Sequence, residues 1–212
     1  FESDKFIIAW AHGHLLRLKM PKEYDNFKGW RLDGLPWEPP KYEYIVNKNS
    51  KETLKQFKEL FDRKDVGLVI NACDAGREGE NIFWSIYEAC QSKLPVKRFF
   101  ESASLTPGVI QHTIENDLKN EDFFLPRKDA AKARQHADYL IGMNFTIGLT
   151  AKSKKKMIAG RVKVPVLKLL KDRKDEIENF KPTDYHEIVV DFGKYKGQWH
   201  NKNISKIDSK NE

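Results

Sequence analysis

Apolar positions along the first half of the chain switch repeatedly between a strand-like and a helix-like spacing. Phe6-Ile7-Ile8-Ala9-Trp10 reads as a short strand. The next stretch has turn residues at Pro21, Gly29, Gly34, Pro36, Pro39 and Pro40, and reads as an ordered loop region. Tyr44-Ile45-Val46 reads as a second strand. Ser50 stands where a helix cap would, ahead of Leu54, Phe57, Leu60 and Phe61, whose spacing puts one face on a core. Residues 66–72 form a nearly continuous apolar run, the pattern of a strand covered on both faces in a parallel sheet. Helical spacing resumes at Arg77, with Ile82, Ile86 and Ala89/Cys90 on one side. Residues 96–100 read as a strand. Thr106-Pro107 joins an N-cap to a proline at the first helical position, and Val109, Ile110, Thr113 and Ile114 continue that helix. This alternation predicts an α/β fold with a mainly parallel sheet.

Beyond Leu125-Pro126 the pattern lengthens. Ala130, Ala133, Ala137, Leu140 and Ile141 mark a long helix. Pro165 is expected to open another, with Val166, Leu169, Leu170 and Ile177 on its buried side. Ile188, Val190 and Phe192 then alternate as a strand, with Trp199 on its partner. A domain change is expected near residue 125. The chain lacks an initiator methionine before Phe1 and trails into polar residues from Lys202, so it reads as a piece of a longer protein.

Composition changes this picture little. An aromatic content of 12% argues against disorder, and the net charge of +7 suits a polyanionic partner without identifying one. Cys73 and Cys90 have neither metal-ligand spacing nor a disulfide framework, as in a reduced, cytoplasmic protein. No signal peptide or membrane span is predicted.

The chemistry concentrates in Asp74-Ala75-Gly76-Arg77-Glu78-Gly79-Glu80, between a strand and a helix. Three carboxylates so close repel one another, and a hard divalent cation offsets that. Open α/β sheets bind ligands at this edge. An acidic helix N-terminus stabilised by the helix dipole is the alternative. Arg134 and Asp138 are one helical turn apart, the spacing of an ordinary surface pair. His12 and His14 have no third ligand nearby to suggest zinc. The lysine-rich run at residues 152–156 suits a solvated loop or a phosphate-contacting patch. Gly160-Arg161, just before the Pro165 helix, could offer backbone N–H groups and a guanidinium to a phosphate, or form a plain turn.

The acidic run resembles the Asp-x-Asp-Arg-Glu-Gly-Glu motif of the Toprim domain in type IA DNA topoisomerases, closest to the topoisomerase III branch. Five further segments match that family in order. They are residues 10–16 with Gly13-His14-Leu15, Trp30 with Leu35-Pro36-Trp37-Glu38-Pro39, Arg98 with Ser104-Leu105-Thr106, Ala133-Arg134 with Asp138 and Gly142-Met143-Asn144, and Gly160-Arg161-Val162-Lys163-Val164-Pro165. The resemblance runs from Phe6 to about Phe192.

It implies a Toprim domain over residues 1–124 without its first strand, a helical DNA-binding segment over 125–183, and the start of a β-rich region over 184–212. It implies an enzyme that cuts one DNA strand through a 5′-phosphotyrosyl link, passes another strand and reseals the break, with magnesium and without ATP. Asp74 and Glu78 would hold Mg2+. Glu78, Glu80 and Arg77 would be catalytic, with either glutamate relaying a proton to the leaving 3′-oxygen. His14, Arg134, Asp138, Ile158, Ala159, Gly160, Arg161, Val162 and Lys163 would contact single-stranded DNA.

Gly76 stands where many members have a second aspartate, so weaker magnesium binding is expected. The family's Toprim glutamate would precede Phe1, and its nucleophile lies in a Tyr-x-Arg-Thr segment. None of Tyr24, Tyr42, Tyr44, Tyr87, Tyr139, Tyr185 and Tyr195 has arginine two residues on, so this chain alone is expected to be inactive. A non-catalytic DNA-binding remnant is the alternative; a Toprim primase or OLD-type nuclease fits the later segments less well. A monomer is expected.

Overall fold

The computed structural model describes residues 1–199 and 207–208. It divides into two compact units, Phe1–Arg161 and Val162–Glu212.

The first unit begins without the expected strand at 6–10. Ile7 makes only an isolated bridge to Glu2, and Ile8 and Trp10 are exposed. A strand needs a partner for its N–H and C=O groups, and the first residues to find one are Leu16–Leu18. This β1 pairs antiparallel with β2 (Tyr44–Val46), Leu16 opposite Val46. Between them the proline- and tryptophan-rich loop is ordered, as its turn chemistry suggests. Tyr24 and Trp37 are buried with Ile147, and Phe27, Leu35, Tyr139 and Met143 pack around them. Asn144 exchanges two hydrogen bonds with the Trp37 backbone, at 2.7 and 2.8 Å.

Helix α1 (Lys51–Phe61) follows, with no hydrogen bond from the Ser50 side chain to its first turn. Its Leu54, Phe57 and Phe61 cover a core of Leu15, Leu16, Ile86 and Cys90. The apolar run at 66–72 narrows to β3 (Val69–Asn71), and only Asn71 of that strand is buried. Helix α2 (Arg77–Ala89) crosses over to β4 (Val96–Arg98), which pairs parallel with β3, Asn71 opposite Arg98. α2 sits between two cores: Ile86 faces the first, while Phe83 and Trp84 join Val96 and Phe124 in another. Thr106 caps α3 (Pro107–Asn116) by accepting the Val109 N–H. The 33-residue α4 (Glu121–Ser153) runs through Pro126, which sits near its start and forfeits one helical hydrogen bond.

In the second unit α5 (Lys163–Glu178) starts two residues before Pro165. Val166, Leu169, Leu170 and Ile177, expected to be buried, are exposed. The helical spacing records a face that could be covered, and the four short strands described in this unit do not cover it. β5 (Tyr185–His186) pairs with β8 (Ile207–Asp208), and β6 (Val189–Asp191) with β7 (Lys196–Gln198), all antiparallel. The Trp199 N–H donates to the Ile188 carbonyl at 2.9 Å, continuing the second hairpin as its pattern predicts. The rest of the polar tail, 200–206 and 209–212, lies outside the described residues. Among the described residues no helix is long and apolar enough to cross a membrane.

Candidate nucleic-acid and metal site

The site grows from the carboxyl end of β3. Asn71 ends that strand; its Oδ1 accepts the Cys73 N–H at 3.1 Å and its Nδ2 donates to Glu80 at 3.2 Å. The chain then turns through exposed Asp74, whose carbonyl accepts the Gly76 N–H at 2.8 Å. Gly76 is fully extended, φ −165° and ψ 172°, and has open space around its α-carbon. Gly79 is different. A Cβ built there would lie 2.2 Å from the Asp74 carbonyl oxygen, so the first turn of α2 packs directly on the Asp74 backbone.

The two glutamates of the motif part company. Glu78 is exposed, and its Oε1 lies 2.5 Å from His14 Nε2. His14 is itself tethered, because Asn47 donates to its carbonyl at 2.9 Å. Glu80 is buried. Its Oε1 accepts from Arg98 Nε at 2.7 Å, and its Oε2 accepts from Asn71 and from Trp84 Nε1, both at 3.2 Å. Arg98, also fully buried, turns Nη1 to the carbonyls of Asn71, Cys73 and Phe99, at 2.5 to 2.9 Å, and donates from Nη2 to that of Asp74 at 2.6 Å.

Helix α4 supplies the opposite wall. A cavity of about 160 Å³ lies between His14, Arg77, Glu78 and Asn81 on one side and Ala131, Arg134, Gln135 and Asp138 on the other. Gln135 is fixed by the Tyr44 hydroxyl, which donates to its Oε1 at 2.6 Å. Burial pushes that hydroxyl's pKa up to about 12, so it stays a donor. Tyr42 stacks on His136 at 3.9 Å, and burial, with Lys132 nearby, lowers the His136 pKa. Arg134 Nε is 3.7 Å from Asp138, too long for a hydrogen bond. The better partner of Asp138 is Arg161, whose Nε donates to Oδ1 at 2.7 Å across 23 residues.

Two threonines of α4 bring Arg161 there. Thr150 bonds both backbone groups of Met157, and Thr146 both those of Ala159, at 3.0 to 3.4 Å. The segment containing exposed Ile158 and half-buried Ala159 and Gly160 is thereby laid back along the helix. Residues 154–156 form the turn beyond the helix, with Lys154 left-handed at φ 54°. Val162 and Lys163 belong to the second unit, as the N-cap and first residue of α5.

So His14, Arg77, Glu78, Arg134 and Asp138 share one cavity, and Arg161 joins it through Asp138. Glu80 is walled off from it by burial. Spacing did not indicate the structural use of Arg98; its signals were its place in the segment with Ser104-Leu105-Thr106 and a charge in an apolar strand.

Among the described residues no group of three or more His, Cys, Asp and Glu side chains is arranged to hold a metal. Asp74 and Glu78 are both exposed hard-oxygen donors beside the helix N-terminus. A hydrated divalent cation that keeps several waters takes one or two such carboxylates, so these two are the donors that could hold one.

The chain is similar to known proteins. A family model described as Toprim domain matches residues 1–102, and one described as DNA topoisomerase matches residues 126–212. The chain is 36% identical over 195 residues to DNA topoisomerase 3 of Staphylococcus epidermidis, covering 92% of this chain and 27% of that protein. It is 38% identical over 191 residues to DNA topoisomerase 3 of Shouchella clausii, covering 90% and 26%. It thus spans about a quarter of the length of these relatives. The solved structure of full-length topoisomerase I from Thermotoga maritima aligns with a TM-score of 0.55 and 27% identity, over 94% of this chain and 32% of that one.

Proposed function

The chain belongs to the type IA DNA topoisomerase family, and from that premise we propose that its first unit holds a single-stranded DNA segment and a magnesium ion for an enzyme that cuts and reseals one strand. On this reading residues 1–124 are the Toprim domain, 125–183 the helical DNA-binding segment and 184–212 the start of a β region. The parent enzyme acts in the cytoplasm as a monomer, on DNA and without ATP.

One observation carries the proposal: His14, Glu78, Arg134 and Asp138 come from distant segments of the chain and line a single cavity. Two carboxylates there are set among three arginines and a histidine. Asp138 orients Arg161 through Nε, and among the described residues the other guanidinium nitrogens of Arg161 make no hydrogen bond. Arg134 likewise keeps its donors free. Two guanidinium groups beside one groove, Arg161 held from behind by Asp138 and Arg134 with its donors unengaged, suit phosphate oxygens.

Mg2+, held by Asp74 and Glu78, would supply electrostatic stabilisation at the scissile phosphate. Glu78 can reach it once it releases His14, and His14 is then free to donate to a phosphate. Arg77, at the start of α2, offsets the local negative charge. Of the two glutamates, Glu78 is the one that can meet a 3′-oxygen. The nucleophilic tyrosine is supplied by the parent enzyme outside these residues.

The test is fluorescence anisotropy of a labelled single-stranded oligonucleotide across a salt series. On single strands the affinity falls with salt with a slope of roughly −0.7 per phosphate contact. Arg161→Ala and Arg134→Ala should each weaken binding on every sequence alike and flatten the slope by about one contact. Unchanged affinity and slope in both variants would sink the reading of this cavity as a DNA site.

A further inference from the structure

We propose that Glu80 and Arg98 form a positioning pair whose task is to fix Asp74 for cation binding. This rests on the reading of Asp74 as a metal ligand given above. The pair touches neither the cation nor DNA.

The argument starts from what Glu80 cannot do. It is 1% exposed, and its two oxygens already accept three hydrogen bonds, from Arg98, Asn71 and Trp84. A carboxylate so enclosed has no face left for a hydrated ion or a nucleotide oxygen. A buried ion pair also gains little stability over an apolar pair of the same volume, so geometry is the more useful place to look for its role.

Arg98 shows that geometry. Its guanidinium ties four carbonyls together: Asn71 at the end of β3, Phe99 just beyond β4, and Cys73 and Asp74 in the turn. Strand ends diverge, and only a planar fork with five donors can collect carbonyls spread in this way. Glu80 accepts from Nε and holds the fork in register. The Asp74 backbone is therefore gripped from two sides, by Arg98 Nη2 at 2.6 Å and by the bare α-carbon of Gly79. With its backbone fixed, the Asp74 side chain leaves the turn in one direction. The ligand is exposed, but its position is set in the core.

The experiment uses the full chain with Mn2+ as the probe, read by water proton relaxation, together with amide hydrogen exchange at Cys73 and Gly76. Arg98→Lys replaces the fork with a point charge, and Glu80→Gln keeps the shape while removing the charge. Each should weaken Mn2+ binding about 10-fold, as partners that orient metal ligands do. Each should also speed exchange at Cys73 and Gly76 while leaving α1 protected. Combined with Asp74→Ala, neither should add a further loss, because nothing remains to be positioned.

Full Mn2+ affinity in both single variants, or losses that add to that of Asp74→Ala, would overturn the proposal. If Asp74→Ala itself leaves Mn2+ binding unchanged, the metal reading falls first and the positioning role falls with it. Should Arg98→Lys not fold, Glu80→Gln decides alone, since an amide of the same volume keeps the core filled.

Discussion

Alanine in place of Gly79 should damage this protein, while alanine in place of Gly76, three residues earlier, should not. A Cβ at Gly79 would stand 2.2 Å from the Asp74 carbonyl oxygen, 2.8 Å from its nitrogen and 3.0 Å from its carbonyl carbon. Ordinary contact begins at 3.4 Å, so helix and turn must separate by about 1.2 Å. The obstacle is backbone and cannot swing aside. Its oxygen accepts from Gly76 at 2.8 Å and from Arg98 at 2.6 Å, and the separation breaks both. A neutral bond is worth about 1 kcal/mol and one to a charged donor about 1.5–3 kcal/mol. Alanine returns at most about 1 kcal/mol in helix propensity. The net loss is about 2 kcal/mol, which lowers the urea midpoint by about 1 M at typical slopes. Gly76 is extended and has nothing within 4 Å, so its alanine variant should stay within about 0.5 kcal/mol of the parent. Urea unfolding of both variants, followed by circular dichroism, makes the comparison. A Gly79→Ala midpoint equal to or above the parent's would refute the close-approach argument.

Gly76→Asp adds a carboxylate in open space beside Asp74 and Glu78, so Mn2+ should bind more tightly by relaxation titration; equal affinity would remove position 76 from the site. The chain alone, given magnesium and negatively supercoiled plasmid, should leave the topoisomer distribution on an agarose gel unchanged, and relaxation lost on mutating one of its tyrosines would contradict this. Arg17 grips Glu23 at 2.7 and 2.9 Å, and with the Met20 N–H holds its carboxyl down at about 2, against 4.5 for a free group. A folded-state pKa held low contributes stability that is complete above pH 4.5 and disappears as pH falls through about 2. Arg17→Met should remove that acid dependence, so a parent-minus-variant stability difference that stays flat across this window would count against the pair.

The elements were legible where periodicity is strong and local. Helix α2 begins at Arg77 and α3 is capped by Thr106, as the sequence indicates. The pattern could also have separated the two glutamates. Residues two apart on a helix point about 200° apart, so Glu78 and Glu80 cannot both face solvent, and Glu80 lies one turn before core residue Trp84. What spacing could not supply were the long-range partners. It offered Arg134 to Asp138 because they are neighbours on the helix, whereas the closer contact comes from Arg161. It marked Phe6 to Trp10 as a strand because the run is apolar, but it could not know that among the described residues only Glu2 bridges to it. It gave α5 an apolar face and could not say what, if anything, meets it.

The threonine lacing along α4 bears on how this site tolerates change in chain length. Four residues of helix advance about 6 Å, and two residues of extended chain advance about 6.6 Å. The steps match, which is why Thr150 meets Met157 and Thr146 meets Ala159 in succession. One further step of the same size brings residue 161 level with Gly142, one turn from Asp138 and within reach of an arginine side chain. Arg161 is thus registered by the helix it lies against and not by the turn it follows. Residues gained or lost among 154–156 would change the size of the bend and leave the guanidinium where it is, so that turn can vary in length without cost to the groove.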